Sequence, residues 1–110
     1  MLNNMTRYEK IIGKIKKVGS ETISDGGQIV LYGSRARGDA KKDSDWDLLV
    51  LLDKAEIEQQ DYDGICYMLT SLGWELGEII IPVLYTKNEW DNSSHTPFYK
   101  NVESEGIVLI

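Results

Sequence analysis

The sequence predicts an α/β (α+β) fold, a small mixed β-sheet flanked by helices. Three observations predict it. Apolar residues recur at three-to-four spacing in two long segments, the mark of helices with one buried face. Short apolar runs bounded by glycine-containing turns lie between and after those segments, as buried strands do. The resulting order is helix, strand, strand, helix, strand, helix, strand. No internal repeat, low-complexity stretch or linker interrupts the 110 residues, so one domain over 1–110 is expected.

Residues 4–20 read as an amphipathic helix. Tyr8, Ile11, Ile12, Ile15 and Val18 share one face, and Glu9, Lys10, Lys14, Lys16 and Lys17 fill most of the rest. Ser24, Asp25, Gly26 and Gly27 form a turn. Gln28 to Tyr32 is the first strand, and Gly33 ends it. Ser34 to Arg37 fit one helical turn with Ser34 near its N-cap, and Gly38 to Ser44 is a polar loop. Trp46 to Leu52 is the second strand. Asp45, Asp47, Leu49 and Leu51 fall on one of its faces, and Trp46, Leu48, Val50 and Leu52 on the other.

Ile57 to Leu76 is the second long helix, weakened by Gly64 and Gly73 and stopped by Gly77. Ile79 to Tyr85 is the third strand, and Pro82 inside it argues for an edge or a bulge. Asn88 to Asp91 fit a helical turn. Thr96 with Pro97 opens a last helix to about Ser104, since proline is favoured at the first helical position. Gly106 ends that helix, and Ile107 to Ile110 fit a short final strand.

Composition narrows the function classes. Hydrophobic residues make up 42% and charged residues 27%, ordinary values for a globular chain. No apolar run reaches the ~20 residues of a membrane helix, so no membrane partner is expected. Met1 to Lys10 carries no apolar signal-peptide core, so a cytoplasmic location is expected. Cys66 is the only cysteine and lies among apolar neighbours, which reads as a buried small hydrophobe in a reducing compartment. The net charge of −6 works against non-specific nucleic-acid binding. It does not exclude nucleotides, because a bound cation inverts the local field. Arg35, Arg37, Lys41 and Lys42 fall within eight residues and form either a solvated loop or a phosphate-attracting patch.

That patch sits inside the segment that carries chemistry, Gly33 to Leu48. Phosphate oxygens need exposed donors close to the backbone. Gly33 allows close approach, and Ser34 adds a hydroxyl; a helical turn behind them adds a favourable dipole. Mg2+ needs hard oxygen ligands, usually one or two carboxylates completed by substrate phosphates. Asp45 and Asp47, at i and i+2, project from one face of a strand about 7 Å apart at their Cα atoms, close enough to share one metal or bridge two. Trp46 between them points to the other face and reads as core rather than as a base-stacking ring.

Gly-Ser, ten residues, then Asp-x-Asp resembles the signature of the nucleotidyltransferase superfamily (polymerase-β-like), and most of all its minimal single-domain group. Arg37-Gly38 and Ser44-Asp45 match the longer form of that signature, and the resemblance covers residues 4–85. It implies a nucleotidyltransferase-like sheet. A nucleoside triphosphate would lie on Gly33 and Ser34, with Arg37 beside them. Asp45 and Asp47 would hold Mg2+. The implied reaction moves a nucleoside monophosphate, AMP from ATP, onto a hydroxyl acceptor. Active members carry a third carboxylate on a neighbouring strand. The strand at Ile79 to Tyr85 has no acid, so the role falls to Glu78 just before it, to another residue, or to none. Glu75 is a weaker alternative, and Asp53 lies about 20 Å along the strand from Asp47. The resemblance also implies a partner. Minimal nucleotidyltransferases are often paired with a small helical protein of the HEPN type in toxin–antitoxin systems, where they modify or only bind it.

Other motifs carry less. Gly33 and Gly38 have P-loop separation, but Asp39 stands where the phosphate-binding lysine belongs. Arg37-Gly38-Asp39 and Asn92-Ser93-Ser94 match short extracellular motifs without the context for either. His95 is the only histidine and has no partner suggesting zinc. Trp90, Phe98 and Tyr99 supply apolar bulk, read first as core and second as a cleft lining.

Overall fold

The computed structural model describes residues 5–110. The start predicted at residue 4 lies outside them, and the first helix, α1, is Arg7–Thr22. Thr6 caps it by accepting from the Glu9 N–H at 3.1 Å, while the Glu9 carboxylate accepts from the Thr6 N–H at 3.3 Å. This reciprocal cap satisfies donors that the first turn leaves open. Strand β1 is Gln28–Tyr32, the short helix α2 is Ser34–Arg37 and β2 is Trp46–Leu52. Gly33 rather than Ser34 takes the N-cap position of α2.

The second long helix is not uniform. It opens as α3, Gln59–Asp61, passes through a π-helical turn at Tyr62–Cys66, and continues as α4, Tyr67–Leu76. The π turn contains Gly64, where the helical pattern is weakest. Gly77 ends α4 in the left-handed conformation, φ 70°, as its position predicts. β3 is Ile80–Thr86, one residue later than the apolar run suggests. Short helix α5, Lys87–Asp91, starts at once because Thr86 and Glu89 form a second reciprocal cap. α6 is Pro97–Glu105 with Pro97 in its first turn, and β4 is only Ile107–Val108.

The four strands lie in the order β3-β2-β1-β4. β1 runs antiparallel to both β2 and β4, and β2 runs parallel to β3. The sheet is mixed, as expected, and β3 lies at an edge, where Pro82 costs no interior ladder bond.

Side-chain alternation along β2 divides the core. Trp46, Leu48, Val50 and Leu52 pack with Ile11 and Ile15 of α1 and Leu69 and Leu72 of α4. Leu49 and Leu51 face the other way and pack with Val30, Trp90 of α5 and Val102 of α6. Burial of both faces explains why β2 reads as an unbroken apolar run after Asp47. Trp90, with Phe98 and Tyr99 against it, belongs to this second core. Cys66 is half-buried against the first core, and burial pushes its thiol pKa up, away from reactivity. No helix among the described residues is long and apolar enough to cross a membrane.

Candidate functional site

The site is built where β1 ends and β2 begins. Antiparallel pairing sets Tyr32 opposite Asp47, so the turn at Gly33 lies directly beside that carboxylate. Gly33 has φ 75° and ψ −160°, a conformation almost reserved for glycine. It is also crowded: a Cβ placed there would sit 2.5 Å from Asp47 Oδ2. Gly33 is therefore fixed twice, by its backbone angle and by the carboxylate over it. Asp45 lies one residue before β2. The strand start is held by the Trp46 N–H donating to the Ile79 carbonyl at 2.8 Å.

The electrostatics show how tightly these groups are gathered. The Asp47 carboxyl titrates above its ordinary value. Burial is the largest cause, and the neighbouring Asp45 charge adds to it. The Arg37 guanidinium pulls the other way, and Glu105 pushes it up further. Asp45 and Asp47 thus form a like-charged pair in a partly desolvated place, a donor set that suits a hard divalent cation. Among the described residues no group of three or more acid, histidine or cysteine side chains is arranged to hold a metal. The pair would need phosphate oxygens to complete a shell.

Two residues at this place have no local signal in the sequence. Glu105, the last residue of α6, accepts from the Gly33 N–H at 2.5 Å and from Arg37 Nη1 at 3.1 Å through the same oxygen, Oε2. Tyr32 points its phenol among Asp47, Tyr85 and Glu105. Burial first, and then Asp47, push its pKa up to about 12, so it stays a neutral hydroxyl. Only the pairing of β4 with β1 could reveal Glu105, by setting Ile107 opposite Leu31 and drawing the end of α6 to Gly33.

The candidate third carboxylate, Glu78, lies elsewhere. Parallel pairing sets Trp46 beside Ile80, and Glu78 shares the face of Ile80, which is the face opposite Asp45 and Asp47. There Glu78 accepts from the Trp46 indole N–H at 2.9 Å and from Arg7 Nη2 at 2.7 Å. Burial alone would raise its pKa, but the bonds from Trp46 and Arg7 outweigh it and hold the carboxyl below the usual range. Its side chain is 10% exposed, and its role here is to tie the start of β3 to α1 and β2.

The basic patch also divides. Arg35 turns to the Trp46 side, with its guanidinium 4.7 Å from the ring centroid. It donates to the carbonyls of Ser44 at 2.9 Å and Lys42 at 3.3 Å, which fastens the polar loop. Of Arg35 and Arg37, only Arg37 acts on Asp47. Arg37 also pairs with Asp39 at 3.2 Å.

A mixed sheet that carries a Gly-Ser turn beside an Asp-x-Asp pair is the architecture of enzymes that move nucleotidyl groups. The chain belongs to the nucleotidyltransferase domain family, whose model matches residues 9–108. Nucleotidyl transfer is its reaction class, and such proteins generally work with divalent metals. A protein of Methanocaldococcus jannaschii, named as a candidate protein adenylyltransferase, is 31% identical over 91% of this chain and 83% of its own length. Among solved structures, a chain of a toxin–antitoxin complex with AMP-PNP has the same fold, with TM-score 0.66 and 22% identity over 90% of this chain and 72% of that one. So does a chain from the complex of the tri-AMPylated Shewanella oneidensis HEPN toxin with its MNT antitoxin, with TM-score 0.63 and 19% identity over 94% of this chain and 71% of that one.

Proposed function

We propose that this protein transfers AMP from ATP to a hydroxyl-bearing side chain of a small helical protein, using Mg2+ held by Asp45 and Asp47. One observation carries the reading. The Gly33 turn and the Asp47 carboxylate meet at one point, close enough that a Cβ at Gly33 would collide with Asp47 Oδ2. A triphosphate on Gly33 and Ser34 would therefore lie against the metal-binding carboxylates. Bound there, Mg2+ would neutralise phosphate charge and draw the α-phosphate into line.

The rest falls to the chain's own groups. Asp45 and Asp47 supply hard oxygen ligands, and their mutual repulsion is relieved when a cation arrives. The Ser34 hydroxyl and the Gly33 N–H, which here donates to Glu105, would be the donors to phosphate. Arg37 supplies the positive charge nearest Asp47. In the transfer the acceptor oxygen forms a bond to the α-phosphorus, and the bond from that phosphorus to the bridging oxygen breaks. Pyrophosphate leaves with the bonding pair, and the acceptor hydroxyl loses its proton. The relatives support a protein acceptor. One is named for protein adenylyl transfer, and one solved complex contains an AMPylated HEPN toxin.

A second reading is favoured by the placement of the acids: a nucleotide-binding antitoxin-like module that binds a HEPN-type partner without modifying it. Glu78 is committed to Trp46 and Arg7, and Glu105 to Gly33 and Arg37. Both readings face one experiment. The protein is incubated with ATP, Mg2+ and a small helical protein of the HEPN type, taken from a neighbouring reading frame where one is found, and the partner is weighed intact by mass spectrometry. A gain of adenylyl mass, lost with Asp45→Asn, is the result expected of the enzyme. Stable association without a mass gain selects the second reading. Neither association nor mass gain refutes both.

A further inference from the structure

Glu105 holds the donors that the reading above gives to phosphate. One carboxylate oxygen takes both the Gly33 N–H and Arg37 Nη1. Its side chain is 16% exposed and that of Arg37 is 47% exposed, so the acceptor is shielded while the guanidinium stays open to solvent. The position is also rigid. Gly106 passes β1 so closely that a Cβ there would lie 2.8 Å from Val30 Cγ1, and its N–H donates to the Val102 carbonyl at 2.7 Å. β4 then pairs Ile107 with Leu31 and Val108 with Val30. The end of α6 is thus clamped to the sheet beside the Gly33 turn.

Charge alone does not explain why Glu105 is there. It adds a further negative group beside Asp47. Only the two donors favour that placement. A carboxylate on a backbone N–H and a guanidinium makes the same contacts as a phosphate oxygen, with less charge.

We propose that Glu105 is an internal competitor for nucleotide phosphate, seated on the Gly33 N–H and Arg37 in the nucleotide-free protein and displaced when a triphosphate binds. The inference rests on the reading that Gly33 and Arg37 bind phosphate. Its consequence is selectivity. A phosphate chain must displace a hydrogen-bonded carboxylate and then lie among three acids, Asp45, Asp47 and the released Glu105. A nucleotide that brings its own divalent cation meets that requirement best, because the cation offsets part of that negative charge.

The test is calorimetric titration of wild type, Glu105→Gln, Glu105→Ala and Asp47→Asn with Mg-ATP and with magnesium pyrophosphate, which probes the phosphate subsite alone. Glu105→Gln keeps the side-chain shape and a neutral acceptor, so it guards against a folding defect in the alanine variant. Removal of a charged competitor is expected to tighten both ligands about tenfold in both Glu105 variants, with alanine at least as strong as glutamine. Asp47→Asn is expected to lose binding. If the Glu105 variants bind no more tightly than wild type while Asp47→Asn loses binding, the site stands and the competitor role is overturned. Weaker binding in them overturns it too and would make Glu105 a ligand of the loaded site. If no variant binds, or Asp47→Asn binds like wild type, the site assignment itself fails and the inference falls with it.

Discussion

Gly33→Ala tests the geometry on which the site depends. Two costs follow from the structure. The first is conformational: φ 75° with ψ −160° is a region open in practice to glycine alone, and holding alanine there costs about 1–3 kcal/mol. The second is steric: the new Cβ would stand 2.5 Å from Asp47 Oδ2, so Asp47 must swing away. Asp47 can move at its side chain, so the first cost dominates stability and the second dominates function. Taking about 2 kcal/mol of strain and an unfolding entropy of about 2.1 cal/mol/K per residue, the melting temperature should fall by roughly 9 °C. Magnesium-dependent nucleotide binding should be lost as well. Calorimetric melting of Gly33→Ala, Asp47→Ala and the double variant separates the two costs. Asp47→Ala in the Gly33→Ala background should recover only the part due to collision. A Gly33→Ala protein that melts within about 2 °C of wild type would show that alanine tolerates this turn, since even the lower bound of the strain predicts more.

Three further outcomes are expected. Asp47 titrates above its ordinary value, so its ionised form is disfavoured in the fold. The stability this group contributes is present at low pH and is lost as pH rises through its folded pKa. Asp47→Asn should therefore melt higher than wild type near neutral pH in a chelating buffer, and an equal or lower melting temperature would count against the crowding. Glu78 has the opposite sign. Its folded pKa is depressed, so its contribution is present above the unfolded value of about 4.3 and is lost as pH falls through the folded one. The acid-side fall in melting temperature should be shallower in Glu78→Gln, and an unchanged profile would remove Glu78 from that role. Ser34→Ala should weaken triphosphate binding by about 1–3 kcal/mol if the hydroxyl makes a charged hydrogen bond, measured by titration with Mg-ATP.

The sequence alone determined the elements and which residues meet at the Gly33 turn from β1 and β2. Alternation along Trp46 to Leu52 assigned Trp46 to the core and the aspartates to the opposite face, because a period of two is a local property of any strand. Gly77, Pro97 and Pro82 likewise marked a helix stop, a helix start and an edge strand, because each acts through its own backbone. The Gly33–Ser34 to Asp45–Asp47 spacing brought turn and carboxylates together because one antiparallel pairing joins them.

Tertiary structure decided which distant side chains join them. Glu78 has the parity of a strand residue, but the parallel register with β2 turns that parity toward Trp46. Arg35 and Arg37 are two residues apart on α2 and leave it toward opposite sides of the sheet, one to Trp46 and one to Glu105. Glu105 is 72 residues from Gly33 and reaches it only because β4 returns to pair with β1. Such contacts depend on strand order, which no local pattern encodes. The chain's residues thus name the candidate groups, while the order of the sheet sets which acid stands on the Gly33 N–H and Arg37.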